Sequence, residues 1–240
     1  MATAERDRPE YHGHEHRDVS GGWLRPAVFG AMDGLVTNVS LIAGIGGGGG
    51  SQHTILLTGL AGLAAGAFSM AAGEFVSVSS QNELVEAEVD KERHELATNA
   101  AAEQAELVGM LRRRGISAAT ARQAAAEISA HPDKALAVHA FEELGVNPAE
   151  LPSPLVAAGA SMVSFAVGAL VPLLPYAFGF DALWVSLALS ALAAVVGGGL
   201  VALLTGRSFW RGAARQLALG VVAAGITYLI GLAIGGMATG

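Results

Sequence analysis

Apolar residues run along this chain in five long blocks separated by polar stretches. The blocks cover about Pro26 to Ile45, Ile55 to Val78, Leu155 to Phe178, Ala182 to Leu204 and Leu217 to Met237. At about 1.5 Å per helical residue, each is long enough for a hydrocarbon core of about 30 Å. The pattern therefore predicts an all-α membrane protein with five transmembrane helices. It divides into a polar N-terminal tail (1–22), helices 1 and 2 (23–78), a polar insert (79–154) and helices 3 to 5 (155–240). The tail has no apolar core, so no cleaved secretory signal is expected. Within the spans, Gly62-x3-Gly66 and Gly231-x3-Gly235 are candidate close-contact faces, within one subunit or between two. Pro172 and Pro175 predict a break in the third span.

The insert is also helical in pattern. One helix is expected to continue from the second span to Leu96, with Thr98 and Asn99 ending it. A second covers about Ala101 to Arg114 and stops at Gly115. Ser117 is a candidate N-cap for a third, Ala118 to Ala130. His131-Pro132-Asp133 breaks the pattern, and a short fourth helix runs from Lys134 to Leu144. The Gly46–Gly50 run lacks the Lys-Ser/Thr of a phosphate loop and reads as a flexible turn.

Charge then orients the spans. Only 15% of residues are charged, against about a quarter in soluble domains. All 14 Lys and Arg fall in three places: before the first span, between the second and third, and between the fourth and fifth. The other connections and the C-terminus have none. The positive-inside rule places the N-terminus and insert in the cytoplasm and the C-terminus outside. The Ala- and Gly-rich composition suggests a prokaryotic plasma membrane. A net charge of -7 argues against a nucleic-acid partner. The absence of cysteine excludes disulfides and thiolate metal sites.

In the insert, acidic residues outnumber basic ones 13 to 7. Glu88, Glu92 and Glu95 share one helical face, Glu103 and Glu106 form an i, i+3 pair, and Glu142 and Glu143 follow His139 by about a turn. Carboxylates converging from several helices can hold divalent ions such as iron or manganese; a solvated acidic face is the alternative. Asp33 and Glu74 lie inside spans, where a charge is expensive and usually faces a polar path. Thr37 and Asn38 follow Asp33 by a turn, and Met70 adds a thioether one turn before Glu74. Packing is the alternative for Met70, and snorkelling to the interface for Glu74. His12, His14 and His16 in the tail form a weak candidate metal tract beside the alternative of a disordered tail.

Several separated motifs, in order, resemble the vacuolar iron transporter family. They are Asp33-Gly-Leu35 with Ala43-Gly44, Gly59-Leu-Ala-x-Leu-Ala-Ala-Gly66-Ala-x-Ser69-Met70, Gly168-Ala-Leu-Val-Pro-Leu-Leu-Pro175-Tyr, and Arg215-Gln-Leu with Ala224-Gly-Ile-Thr-Tyr-Leu-Ile-Gly231. The resemblance covers about Trp23 to Gly236. It implies a homodimer that exchanges cytoplasmic ferrous iron, and often manganese, for protons. It also implies a metal path between subunits lined by Asp33 and Met70, and insert ligands at Glu92, Glu95, Glu103, Glu106 and Glu143. Two positions depart from the better-known eukaryotic pattern. Gly62 stands where that pattern has an acid, which Glu74 could replace. His139-Ala140 stands where it has a Met pair, and His139 could supply a nitrogen ligand.

The expected protein is thus a proton-coupled exporter of ferrous iron, and of other divalent ions such as manganese, cobalt or zinc. No tightly bound cofactor and no enzymatic activity are expected. A membrane-tethered di-iron oxidase would want two Glu-x-x-His motifs, and the insert has none: Glu92 is followed by Glu95 and Glu127 by Ala130 at that spacing. A metal sensor whose spans conduct nothing is the remaining alternative.

Overall fold

The computed structural model describes residues 22–238; the tail histidines and Arg6, Arg8 and Arg17 lie outside them. The described residues form α1 (Leu24–Gly47), α2 (Gln52–Thr98), α3 (Ala100–Arg113), α4 (Ala118–Ser129) and α5 (Pro132–His139). A π-helical turn (Ala140–Leu144) continues α5. Then come α6 (Pro154–Leu170), a 3-10 turn (Val171–Leu173), α7 (Leu174–Ala177), α8 (Leu183–Leu204) and α9 (Phe209–Ala238). Five helical stretches are long and apolar enough to cross a membrane: α1, α2, α6 with α7, α8 and α9.

Local chemistry sets the boundaries. Gly49 takes φ +79 after α1, a left-handed conformation open to glycine at little cost. Ser51 then caps α2, its Oγ accepting from Thr54 N–H at 3.3 Å. No proline interrupts the 47 residues of α2, so one helix about 70 Å long leaves the apolar block and continues into the polar insert. Ser117 caps α4 in the same way through Thr120 N–H at 3.3 Å. The expected break between the third and fourth insert helices falls at Ala130 and His131, and Pro132 lies just beyond it. It is the first residue of α5, where its missing N–H has no intrahelical partner to lose.

At the centre, α1 packs on α6 through facing glycines. A Cβ at Gly34 would strike the Phe165 carbonyl, and one at Gly168 the Ala31 carbonyl. Gly231 and Gly235 seat α9 on the backbone of α1 at Gly44 and Gly48, while Gly62 and Gly66 face Leu41 and Phe165. Both glycine pairs therefore make contacts within the chain. The fifth span starts at Phe209 and not near Leu217. Gly212 packs against Gly198 of α8, and Phe209 lies over Gly199, while Arg211 and Arg215, one turn apart, remain exposed. That packing extends the helix through a stretch whose arginines conceal its apolar side.

The third span does break at its prolines. Pro172 and Pro175 remove two backbone donors, and side chains of two other helices compensate. Asn38 Nδ2 of α1 donates to the Ala169 carbonyl at 2.6 Å. Ser186 Oγ of α8 donates to that of Pro172 at 2.6 Å. Beyond the break, Gln52 Nε2 of α2 donates at 3.0 Å to the Tyr176 carbonyl, which also accepts from Gly179 N–H. Without water, a carbonyl stripped of such a partner stays unpaired. Asn38→Leu should therefore lower stability by about 1–3 kcal/mol, read as a lower unfolding midpoint in detergent. Thr227→Val, which removes a hydroxyl bonded only to carbonyls of its own helix, should have the smaller effect. Equal midpoints for the two variants would contradict this account of the break.

Candidate metal centre

The insert folds around a small apolar core of Leu107 and Met110 from α3 and Ala125 from α4, with Val138 of α5 packed against it. Glu103 lies on the same buried stripe of α3 as Leu107 and Met110, at i, i+4, i+7, and only 8% of it is exposed. Its place in the first turn of α3 also sets a carboxylate near the positive end of the helix dipole. On α2, Glu92 lies three residues after the buried Val89, its side chain 12% exposed. These two acids thus occupy positions where a core helix usually carries leucine. Glu88, by contrast, is half-exposed and pairs with Lys91.

His139 closes the group. It is fully buried, and its Nδ1 stands 2.9 Å from Glu92, 3.3 Å from Glu143 and 3.6 Å from Glu103, each measured to a carboxylate oxygen. The π-helical turn contributes here. Its wider winding brings residues four apart closer to one azimuth than an α-turn does, so His139 and Glu143 aim at the same point. Arg114 at the end of α3 steadies that turn, with its Nη2 3.1 Å and its Nε 3.2 Å from one oxygen of Glu142.

Glu92, Glu103, His139 and Glu143 each offer one ligand atom, and these atoms lie within 4.8 Å of one another. Atoms bound to a single ion at about 2.1 Å lie at most about 4.2 Å apart, so small side-chain shifts would close the group on an ion. Electrostatics also favours a cation. Three carboxylates share a site with one imidazole, and Glu92 Oε1 is buried without a hydrogen bond despite its nearness to Nδ1. Burial raises the Glu92 pKa above the ordinary 4.5, and the charge of Glu143 adds to it. Burial also raises that of Glu103, partly opposed by His139. Carboxylate oxygens with one imidazole nitrogen suit iron, manganese or zinc better than a thiolate-seeking ion.

The structure thus brings together four of the nine residues singled out from sequence. Glu95 instead accepts from Asn99 Nδ2 at 3.2 Å. Glu106 is exposed, near enough to raise the pKa of both Glu92 and Glu103 but outside the ligand group. The facing stripes Val89-Glu92 and Glu103-Leu107 distinguish the inner Glu of each pair, a signal present in the sequence. Asp33, Met70 and Glu74 lie elsewhere, in the spans. Asp33 is half-buried and accepts from Thr37 Oγ1 at 3.4 Å. Met70 packs against the cluster of Ala67, Phe165 and Ala169. Glu74 is half-buried one turn beyond it.

Comparison with known proteins gives a consistent picture. Residues 24–232 match the model of the VIT family. The chain is 37% identical to the "Vacuolar iron transporter" of Acanthamoeba castellanii, over 93% of this chain and 84% of that protein. It is 34% identical to "Vacuolar iron transporter homolog 1" of Oryza sativa subsp. japonica, over 95% and 80% respectively. It is 35% identical to "VIT-like transporter 1b" of Glycine max, over 86% and 73%.

Two outcomes follow from the geometry. In calorimetric titration with Mn²⁺, Glu103→Gln should weaken binding at least about tenfold, while Glu106→Gln should change it by less than about threefold. Equal effects would remove Glu103 from the ligand group. Without metal, the raised pKa of Glu92 and Glu103 means that the unfolded chain ionises first as pH rises. The melting temperature should therefore fall as pH climbs from about 4.5 through the raised values. Glu92→Gln with Glu103→Gln should flatten that slope.

Proposed function

The chain belongs to the VIT family, and from that premise we propose that it moves ferrous iron, and manganese with it, out of the cytoplasm in exchange for protons. The observation that carries this reading is the buried group of Glu92, Glu103, His139 and Glu143. It is anchored on a helix that is continuous with a membrane span. A divalent ion offsets charges that are otherwise expensive to bury. The insert then acts as a collector on the cytoplasmic side, the side to which the distribution of Lys and Arg assigns it.

Two copies form the conducting unit, with the path between them lined by Asp33, Met70 and Glu74. The carboxylate of Asp33 supplies hard oxygen and the thioether of Met70 a softer donor, a pairing that favours transition metals over magnesium. Glu74 supplies the acid that α2 lacks at Gly62. Protons entering from the far side neutralise these carboxylates after the ion departs, which resets the path and couples the two fluxes. Cobalt and zinc are further cargo candidates on the same ligand chemistry. A prokaryotic plasma membrane is the proposed location.

A sensor that binds metal without conducting it has no use for a carboxylate at Asp33, inside a span, and this favours transport. The test is metal flux in proteoliposomes. Asp33→Ala should reduce Fe²⁺ and Mn²⁺ flux to background while the protein elutes and melts as the parent does. Undiminished flux would show that Asp33 is not on the path.

A further inference from the structure

The spans α1, α8 and α9 do not close on one another along their full length. α9 meets α8 where Gly212 faces Gly198, and meets α1 where Gly231 faces Gly44. Between the two crossings the three helices leave a cleft of about 840 Å³. Its walls are aliphatic: Leu35 and Val39 from α1, Leu187 and Ala191 from α8, Leu217 and Val221 from α9. Gly220 and Gly225 also line it, and a Cβ at either would meet nothing within 4 Å. Missing side chains therefore contribute to the opening. Ser190, the one hydroxyl-bearing aliphatic residue in the lining, already donates to the Ser186 carbonyl at 2.7 Å. The interior offers little to a polar ligand.

The dimensions and the charge of the cleft identify an occupant. Along α8 the lining runs from Leu183 to Ala194, about 16 Å of helix. That is half of a hydrocarbon core of about 30 Å, the depth of one leaflet. Trp184 and Tyr228 stand at one end, where such amphipathic rings mark a membrane boundary. Asp181 lines the same end and is the one charged residue of the lining. It is exposed and forms no ion pair among the described residues. The nearby connections, residues 46–54 and 179–182, contain no Lys or Arg to neutralise it.

We propose that this cleft holds one acyl chain of a phospholipid whose headgroup carries a primary ammonium, with Asp181 pairing that ammonium. The aliphatic slot takes the chain, and the free carboxylate at its mouth favours a hydrogen-bonding cation over an anionic headgroup. The site is separate from the metal ligands, so it stands whether or not the transport reading holds.

Native mass spectrometry of the delipidated protein in detergent tests it, with phosphatidylethanolamine, phosphatidylcholine and phosphatidylglycerol of identical acyl chains. The expected result is one tightly held phosphatidylethanolamine per chain, with affinity at least about fivefold above that for phosphatidylglycerol. Asp181→Asn should retain lipid but bring the two affinities together. Gly220→Leu and Gly225→Leu should each fill the cleft and release the lipid while Mn²⁺ binding persists. Equal affinity of the parent for the three lipids would overturn the proposal. So would undiminished binding by both leucine variants, or a change in their oligomeric mass in place of lipid loss, which would assign the cleft to a second copy. Because Asp181 is exposed, its variant keeps the test decisive if the leucine variants fold poorly.

Discussion

Hydrocarbon offers no hydrogen-bond partner, and that constraint organises the whole chain. It requires each span to be helical, and where a span breaks it requires side chains to replace the lost backbone donors. The break at Pro172 and Pro175 is tolerated because Asn38 and Ser186 reach its carbonyls from two different helices. Those bonds tie the third span to α1 and α8 at the site of its backbone irregularity. Glycines do the rest, bringing α1 against α6 and α9 nearly backbone to backbone.

The same constraint explains where charge is placed. Most carboxylates lie in the insert, where water is available, yet two of them are drawn onto core-facing stripes and gathered around a buried imidazole. Burial raises their pKa, a sign that the metal-free group is under electrostatic stress. A divalent ion bound there would relieve that stress and would link metal binding to the folding of the insert. α2 carries Glu92 about 33 Å beyond Met70 along one helix. Glu92 and Met70 therefore lie on one continuous helix, with no linker between them.

Much of this was legible in the sequence, because the signals were periodic. Five apolar blocks gave five spans, and the unbroken pattern through Leu96 anticipated the length of α2. Ser117 was readable as a cap because its partner lies three residues away. The start of α9 was not, because Arg211 and Arg215 mask a helix held by contacts with α8. The acidic pairs were visible, but which member turns inward depends on the neighbouring apolar stripe. The role of Asn38 was out of reach, since its acceptor lies 131 residues away. The same is true of the π-helical turn and of the Arg114–Glu142 pair that steadies it.

Anomalous diffraction at the manganese edge, from crystals of the intact protein grown with Mn²⁺, tests the central claim most directly. The account predicts a peak enclosed by His139 Nδ1 and the carboxylates of Glu92, Glu103 and Glu143. An insert with no peak, or with metal bound only on its exposed acidic surface, would contradict it.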